Sequence, residues 1–444
     1  MACNANKTHL LRAIAKRGYA TCPRLVGDTS PINVNVLENK LVVATADASV
    51  PVSRVSIVLR AGSRNEAYDT LGASHLLRLA GSLSTQRSSA FAIARHIQQV
   101  GGTLTTWGDR ELVGYTVETT SDNVETGLHY LQDLLQPAFK PWELKGNAKT
   151  LHNQLDAVSR EERAIELVHK AAFRRGLGNS IYIPRFQLGN ISSESLLHYV
   201  ANTFSAGSAA VVGVGVENNL LSGFAQTLNF PSGGGGGTGS KSSASYFGGD
   251  ARKDTAGHRA VVAVAGEGGA ASNIKEALAF AILEQAVGGG AATKRGKSAG
   301  AFGEAVSCAS DAPVAYKALN RSYSDAGLFG FVASADSKDI GKAVEFLVRA
   351  LKSGSVSDKD VARGKALLKA RVISDYSSDS GLIRQIGQQA ALTRTVLEAE
   401  ALVGAIDGIS LDQVQAAAKK VAGSKLSVGA IGHLANVPYA SDLA

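Results

Sequence analysis

Two stretches of this 444-residue chain, 216 positions apart, are written on one plan. Val113-Gly114-Tyr115-Thr116-Val117 alternates as a strand does, and Phe329-Gly330-Phe331-Val332-Ala333 repeats the pattern. Each is followed by a polar break and then by apolar residues at steps of four, three and four. These are Val124, Leu128, Leu131 and Leu135 in the first copy, and Ile340, Val344, Leu347 and Leu351 in the second. On a helix such positions share one stripe, the kind that lies against a sheet. The match continues with small slips. A helix carrying Leu151 and Leu155 corresponds to one carrying Leu368 and Val372. Ile191-Ser192 opens a helix that leads to a strand ending in Val214-Gly215, as Ile409-Ser410 leads to Ile431-Gly432. Ser410 and Gln413 also have the spacing of a capping box. Duplication of one α+β unit accounts for the set. Strands alternate with helices through short connections, so each half is expected to be a largely antiparallel sheet with helices packed on one face.

Between the copies, Pro231-Ser232 precedes five glycines, residues 233–237, and then Thr238-Gly239-Ser240-Lys241-Ser242-Ser243. Glycine and serine in that proportion make a flexible connector. The chain therefore divides into an N-terminal domain, residues 30–230, a linker, 231–245, and a C-terminal domain, 246–444. No stretch approaches the roughly 18 consecutive apolar residues that span a bilayer. Any contact with a membrane is expected to run through a partner.

The formal charge of +8 is uneven. Lys7, Arg12, Lys16, Arg17 and Arg24 all precede the first acidic residue, Asp28. A basic, acid-free, weakly amphipathic start has the character of a mitochondrial transit peptide, residues 1–19. Arg17-Gly18-Tyr19-Ala20 resembles a matrix cleavage site, and a cut between Tyr19 and Ala20 would lower the charge from +8 to +4. The basicity is then largely an address, and no nucleic-acid partner is expected. Cys3, Cys22 and Cys308 show no CxxC spacing, which argues against a disulfide framework or a structural zinc site.

Ala61-Gly62-Ser63-Arg64-Asn65-Glu66 followed by Leu71-Gly72-Ala73-Ser74-His75-Leu76-Leu77-Arg78-Leu79 resembles the opening of the pitrilysin (M16) zinc peptidase family. The resemblance implies a pitrilysin/LuxS metallohydrolase-like α+β fold of two homologous halves. It also implies a helix bearing His-x-x-Glu-His, whose two histidines bind zinc while the glutamate acts as base on the metal-bound water. Only the first histidine remains, as His75. Arg78 stands at the base position and Leu79 at the second histidine. Arginine cannot deprotonate water, and leucine has no lone pair to give. The third ligand falls around residues 151–156, which read Leu-His-Asn-Gln-Leu-Asp and hold no glutamate. Peptidase activity is therefore expected to be lost, with no metal and no cofactor bound, and His75 to be a packed or solvent-facing histidine.

Other motifs are weaker. Glu166 and His169 have a spacing used in carboxylate-bridged metal sites, but no second pair exists, so a solvated helical face is expected. The run from Gly288 to Ser298 misses P-loop spacing by one residue and reads as a basic loop. Three segments resemble the core-subunit branch of the family found in mitochondrial ubiquinol–cytochrome c reductase. They are Tyr246-Phe247-Gly248-Gly249-Asp250-Ala251-Arg252, Lys294-Arg295-Gly296, and the run from Asn320 to Gly330. Membership would imply a matrix-side, non-catalytic subunit paired with core protein 1 and associated with cytochrome b, cytochrome c1 and the Rieske protein. It would carry no haem or iron–sulfur cluster, in keeping with the absence of a cysteine cluster. The alternative is the substrate-recognition (alpha-type) subunit of the matrix processing peptidase, which also lacks the zinc ligands.

Overall fold

Serine side chains set where many of the helices begin. Ser89, Ser159, Ser192, Ser357, Ser378 and Ser410 each accept a hydrogen bond from an amide in the first helical turn. Ser410 and Gln413 complete the capping box read from the sequence. The computed structural model describes residues 32–46, 50–231, 243–291, 300–309 and 313–443. Tyr19 and Ala20, most of the linker, and Lys294-Arg295-Gly296 lie outside the described residues.

The first half begins with β1 (Ile32–Val36), β2 (Val42–Ala46), β3 (Val52–Leu59), α1 (Ala73–Ala80) and α2 (Ala90–Gln99). It continues through β4 (Thr103–Gly108), β5 (Val113–Thr120), α3 (Val124–Asp133), α4 (Pro141–Ala157) and α5 (Arg160–Phe173). It closes with α6 (Ser193–Thr203), β6 (Ala209–Val214) and α7 (Asn218–Thr227). The second half opens with β7 (Gly249–Asp254), β8 (Arg259–Glu267), α8 (Ile274–Val287), β9 (Gly290–Ala291) and α9 (Ala301–Ala309). Then come β10 (Ala315–Ser322), β11 (Gly327–Asp336), α10 (Ile340–Ser353), α11 (Asp358–Ser377) and α12 (Asp379–Thr393). Last are α13 (Ala399–Asp407), α14 (Leu411–Gly423) and β12 (Ser427–Gly432).

The sheets run β1-β2-β6-β3-β5-β4 and β7-β12-β8-β11-β10-β9. In each, one parallel pair (β2 with β6, β7 with β12) accompanies antiparallel neighbours. The order β2-β6-β3-β5-β4 matches β7-β12-β8-β11-β10, so the duplication is a duplication of topology. β1 extends one edge of the first sheet, and β9 the opposite edge of the second.

One face of each sheet is covered as expected. Leu41, Val43, Ile57, Tyr115 and Val211 face helices of their own half, and Val262, Val264, Phe329 and Phe331 do the same in the second half. The other face corrects the expectation of helices on one side only. Because strand residues alternate, Val42, Ala44, Val58, Ala210 and Val212 point to the opposite side, where they are buried by Leu382, Ile383, Ile386 and Ala390 of α12. That helix belongs to the second half. Reciprocally, Ala164, Val168 and Ala172 of α5, from the first half, cover Val261, Ala263, Ala265 and Ile431 of the second sheet. The halves have exchanged one helix each.

The exchange is fastened by polar contacts. Arg54 pairs with Asp379 at 2.7 Å, and Arg60 donates to the carbonyls of Ala391 and Leu392 near the C-terminus of α12. Helix α5 lies so close to β12 that a Cβ on Gly429 would sit 2.4 Å from both Ala164 O and Val168 N. Nothing there can yield except the helix. Gly429→Ala is therefore expected to destabilise the protein by about 2–3 kcal/mol through overpacking. Gly404→Ala in α13, where an added Cβ meets nothing within 4 Å, should be neutral or slightly stabilising. Thermal melts of the two variants check the contrast, and equal melting temperatures would refute the close-approach argument.

Candidate functional site: a converted metal helix

Helix α1 starts from a left-handed glycine. Gly72 has φ of 95° and caps the helix, and Ile183 fills the space a side chain would need. Its exposed amides are met by Glu66, which accepts from Gly72 N–H at 2.9 Å and from Ser74 N–H at 2.8 Å. Burial pushes the Glu66 carboxyl up to about 7, against the opposing pull of those two donors, the Ser74 side chain and the charge of Arg78.

His75, Arg78 and Leu79 share one side of α1, beside a cleft of about 410 Å³ that Thr106, Gln154 and Tyr182 also line. His75 is buried. Its Nδ1 accepts from Ile183 N–H at 3.2 Å, which leaves the proton on Nε2, and its ring stands edge-on to Tyr182 with centroids 5.8 Å apart. Burial, and next the positive charge of Arg78, hold its pKa down to about 4. Of the two expectations for this histidine, the packed one is what the structure contains. The Arg78 guanidinium donates to the carbonyl of Ile181 and lies 5.8 Å from the Tyr182 ring centroid. Leu79 is half-buried and packs against the first-half core at the edge of the cleft.

On α4, the helix expected to carry a third ligand, Gln154 is the side chain that sits against His75. His152 and Asp156 pair with each other at 3.0 Å, both about half exposed. Gln154 was not singled out in the sequence; it is an exposed residue one turn from the buried Leu151, at the rim of the cleft. Among the described residues no group of three or more His, Cys, Asp or Glu could hold a metal ion.

The reading of Glu166 and His169 as a solvated face is wrong. His169 is fully buried, its Nε2 2.8 Å from the Tyr323 hydroxyl and its Nδ1 2.7 Å from Ile165 O. Glu166 pairs with the buried Arg110 at 2.6 Å and accepts from Ile181 N–H at 3.1 Å. The reason is the helix exchange: α5 is sandwiched between halves, and periodicity alone could not reveal that. The segment around Tyr323 is thereby explained as a junction. Ser324 N–H donates to Glu111 at 2.9 Å, and Asp325 pairs with Arg64 at 2.6 Å.

A family model described as Insulinase (Peptidase family M16) matches residues 41–185. The chain is 34% identical over 416 residues to the mitochondrial cytochrome b-c1 complex subunit 2 of Rattus norvegicus, covering 92% of this chain and 91% of that protein. It belongs to the M16 peptidase family, in the branch of cytochrome b-c1 complex subunit 2. The Homo sapiens protein of the same name is 33% identical, with the same coverage of both chains. A mitochondrial-processing peptidase subunit alpha-2 from Dictyostelium discoideum is 26% identical over 87% of this M16 chain and 88% of its own length.

The two titrating groups at the start of this M16 helix oppose one another. Glu66 has its pKa raised from 4.5 to about 7, so its contribution to stability is complete below about pH 4.5 and is lost as pH rises through 7. His75 has its pKa lowered from 6.5 to about 4, so its contribution is complete above about pH 6.5 and is lost as pH falls through 4. The stability gap between the parent chain and Glu66→Gln should therefore narrow from pH 4.5 to 7, while the gap to His75→Gln should widen. Thermal melts across that range measure both; parallel curves would contradict the assignment.

Proposed function

We propose that this chain acts as core protein 2 of the mitochondrial cytochrome b-c1 complex: a non-catalytic subunit, peripheral on the matrix side and paired with core protein 1. It would support the assembly and stability of the complex that passes electrons from ubiquinol to cytochrome c, beside cytochrome b, cytochrome c1 and the Rieske protein. The observation that carries this reading is the likeness to cytochrome b-c1 complex subunit 2, which is both more identical than the processing-peptidase match and nearly full-length. The absence, among the described residues, of any helix long and apolar enough to cross a membrane fits attachment through partners.

The lack of peptidase activity follows from the chemistry of α1. A catalytic zinc needs three protein ligands and an open position for water, with a base beside it. His75 offers one ligand, already engaged at Nδ1 by Ile183 N–H. Arg78 would place a cation next to the dication, and Leu79 donates nothing. Gln154 supplies a neutral amide where a carboxylate would be needed. The proposed processing site at Tyr19-Ala20 belongs to the same reading, as an address that delivers the chain to the matrix.

Two measurements test the proposal. On a native gel of detergent-solubilised inner membrane, the chain should co-migrate with cytochrome b; migration with a soluble matrix peptidase would overturn it in favour of the alpha-type alternative. The purified chain should hold well under the roughly one zinc equivalent of a catalytic site. Arg78→Glu, Leu79→His and Gln154→Glu together should raise zinc content toward one equivalent. Zinc-dependent peptide cleavage by the unsubstituted chain would disprove the inactive reading.

A further inference from the structure

A second cleft, of about 1000 Å³, neighbours the one beside His75. It opens between α5, the connection that follows it, and the loop from Glu66 to Leu71, with Lys253 of β7 contributed by the second half. Its charged lining residues are mostly cationic, Arg185 being paired with Asp156, and the two carboxylates among them are already engaged. Glu66 is tied to the amides of α1 and Glu166 to Arg110. Arg163 donates to the Leu155 carbonyl, and Arg174 lies over Phe247 at 4.7 Å, so neither is neutralised by a carboxylate. Lys170, Arg175 and Lys253 are exposed and form no ion pair among the described residues. Beside these cations the cleft presents apolar surface, with Tyr68 80% and Phe186 58% exposed at its edge. These two aromatic side chains add apolar surface to the rim of the cleft.

We propose that this cleft is a docking groove for an acidic segment of a partner polypeptide, carboxylates alternating with apolar side chains. Geometry separates a chain from a small anion. Arg163, Leu167 and Lys170 follow one another along one side of α5 and Arg174 caps its end, so at about 1.5 Å per residue the backbones of the outer two stand roughly 16 Å apart. No single phosphate can bridge that distance, whereas about five extended residues do. Leu167, between the cations, supplies the apolar contact that a polyphosphate could not use. The same charge repels a basic peptide, so the groove is the wrong sign for a mitochondrial presequence. The inference goes beyond the subunit assignment and does not depend on it.

The test uses the full chain and two labelled ten-residue peptides, one alternating glutamate with leucine and one alternating lysine with leucine, followed by fluorescence anisotropy. The acidic peptide should bind, more weakly as salt rises, and the basic one should not. Charge reversal at two exposed cleft positions, Lys170→Glu with Arg175→Glu, should weaken acidic-peptide binding about tenfold or more. An equal change of net charge on another surface, Lys342→Glu with Lys352→Glu, should leave it within about twofold. Melting temperatures matching the parent chain establish that both variants are folded. No binding of the acidic peptide at low salt, equal binding of the basic one, or equal loss in the two variants would each overturn the proposal. Tripolyphosphate that displaces the peptide and binds more tightly would also overturn it, showing a small-anion site instead.

Discussion

Two sheets with apolar side chains on both faces cannot each be closed by one layer of their own helices. The reciprocal exchange of α5 and α12 solves this, and the rest of the molecule hangs from it. A sheet face of valine and alanine left in water would forfeit the main driving force of folding. Each half therefore buries a sheet face with a helix of the other, even though the sequence is a duplication. The exchange also builds the site region. After Phe173 the chain turns at Arg174, whose φ is 60°, and returns to the first half through residues 175–186. That return brings the Ile181 carbonyl to Arg78, Ile181 N–H to Glu166 and Ile183 N–H to His75. The walls around α1 are thus set by a helix that packs on the other sheet.

Within those walls, Arg78 sets the protonation state of its neighbour. A cation fixed near His75 disfavours the imidazolium and so keeps Nδ1 free as an acceptor for Ile183 N–H. A carboxylate at position 78 would act the other way, favouring a protonated ring whose Nδ1–H would collide with that same amide. Glu66, in the loop before the helix, meets the amides of Gly72 and Ser74 that the first turn leaves without an intrahelical partner. The helix of a zinc enzyme concentrates ligands around a metal. Under the proposed reading, the positions of those ligands are held here by a guanidinium near Tyr182 and by a half-buried leucine that packs against the core.

Much of this was legible in the residues. The 216-residue repeat, the alternation in β5 and β11, the stripes of α3 and α10, and the capping box at Ser410 all became structure where they were read. These are local signals, in which side-chain period dictates which face is buried. What a period cannot say is which surface does the burying. Helix α5 shows Ala164, Val168 and Ala172 at steps of four, and nothing in those steps names the second sheet as their partner. Glu166 and His169 were misread for that reason: a helix with a neighbour on more than one side buries residues that lie off its apolar stripe. Gln154 carries no such local signal either, since an exposed amide on a helix has neither charge nor apolar period to mark it as the neighbour of His75.

Helix α5 also shows how two demands can be met by one element without compromise. Its inward side must be small, because Gly429 of β12 allows the backbone of α5 to within contact distance and anything larger would part them. Its outward side is under no such constraint. Lys170, and Arg175 just beyond the helix end, have no side-chain acceptor among the described residues, so removing their charge would leave no buried group unpaired. Like charges gathered on one wall repel over a Debye length of about 8 Å at physiological salt, and that repulsion is a standing cost to the isolated chain. A cost that the fold does not require is better explained by what the surface meets. The inner face of α5 answers to the second sheet, and its outer face answers to something outside this chain.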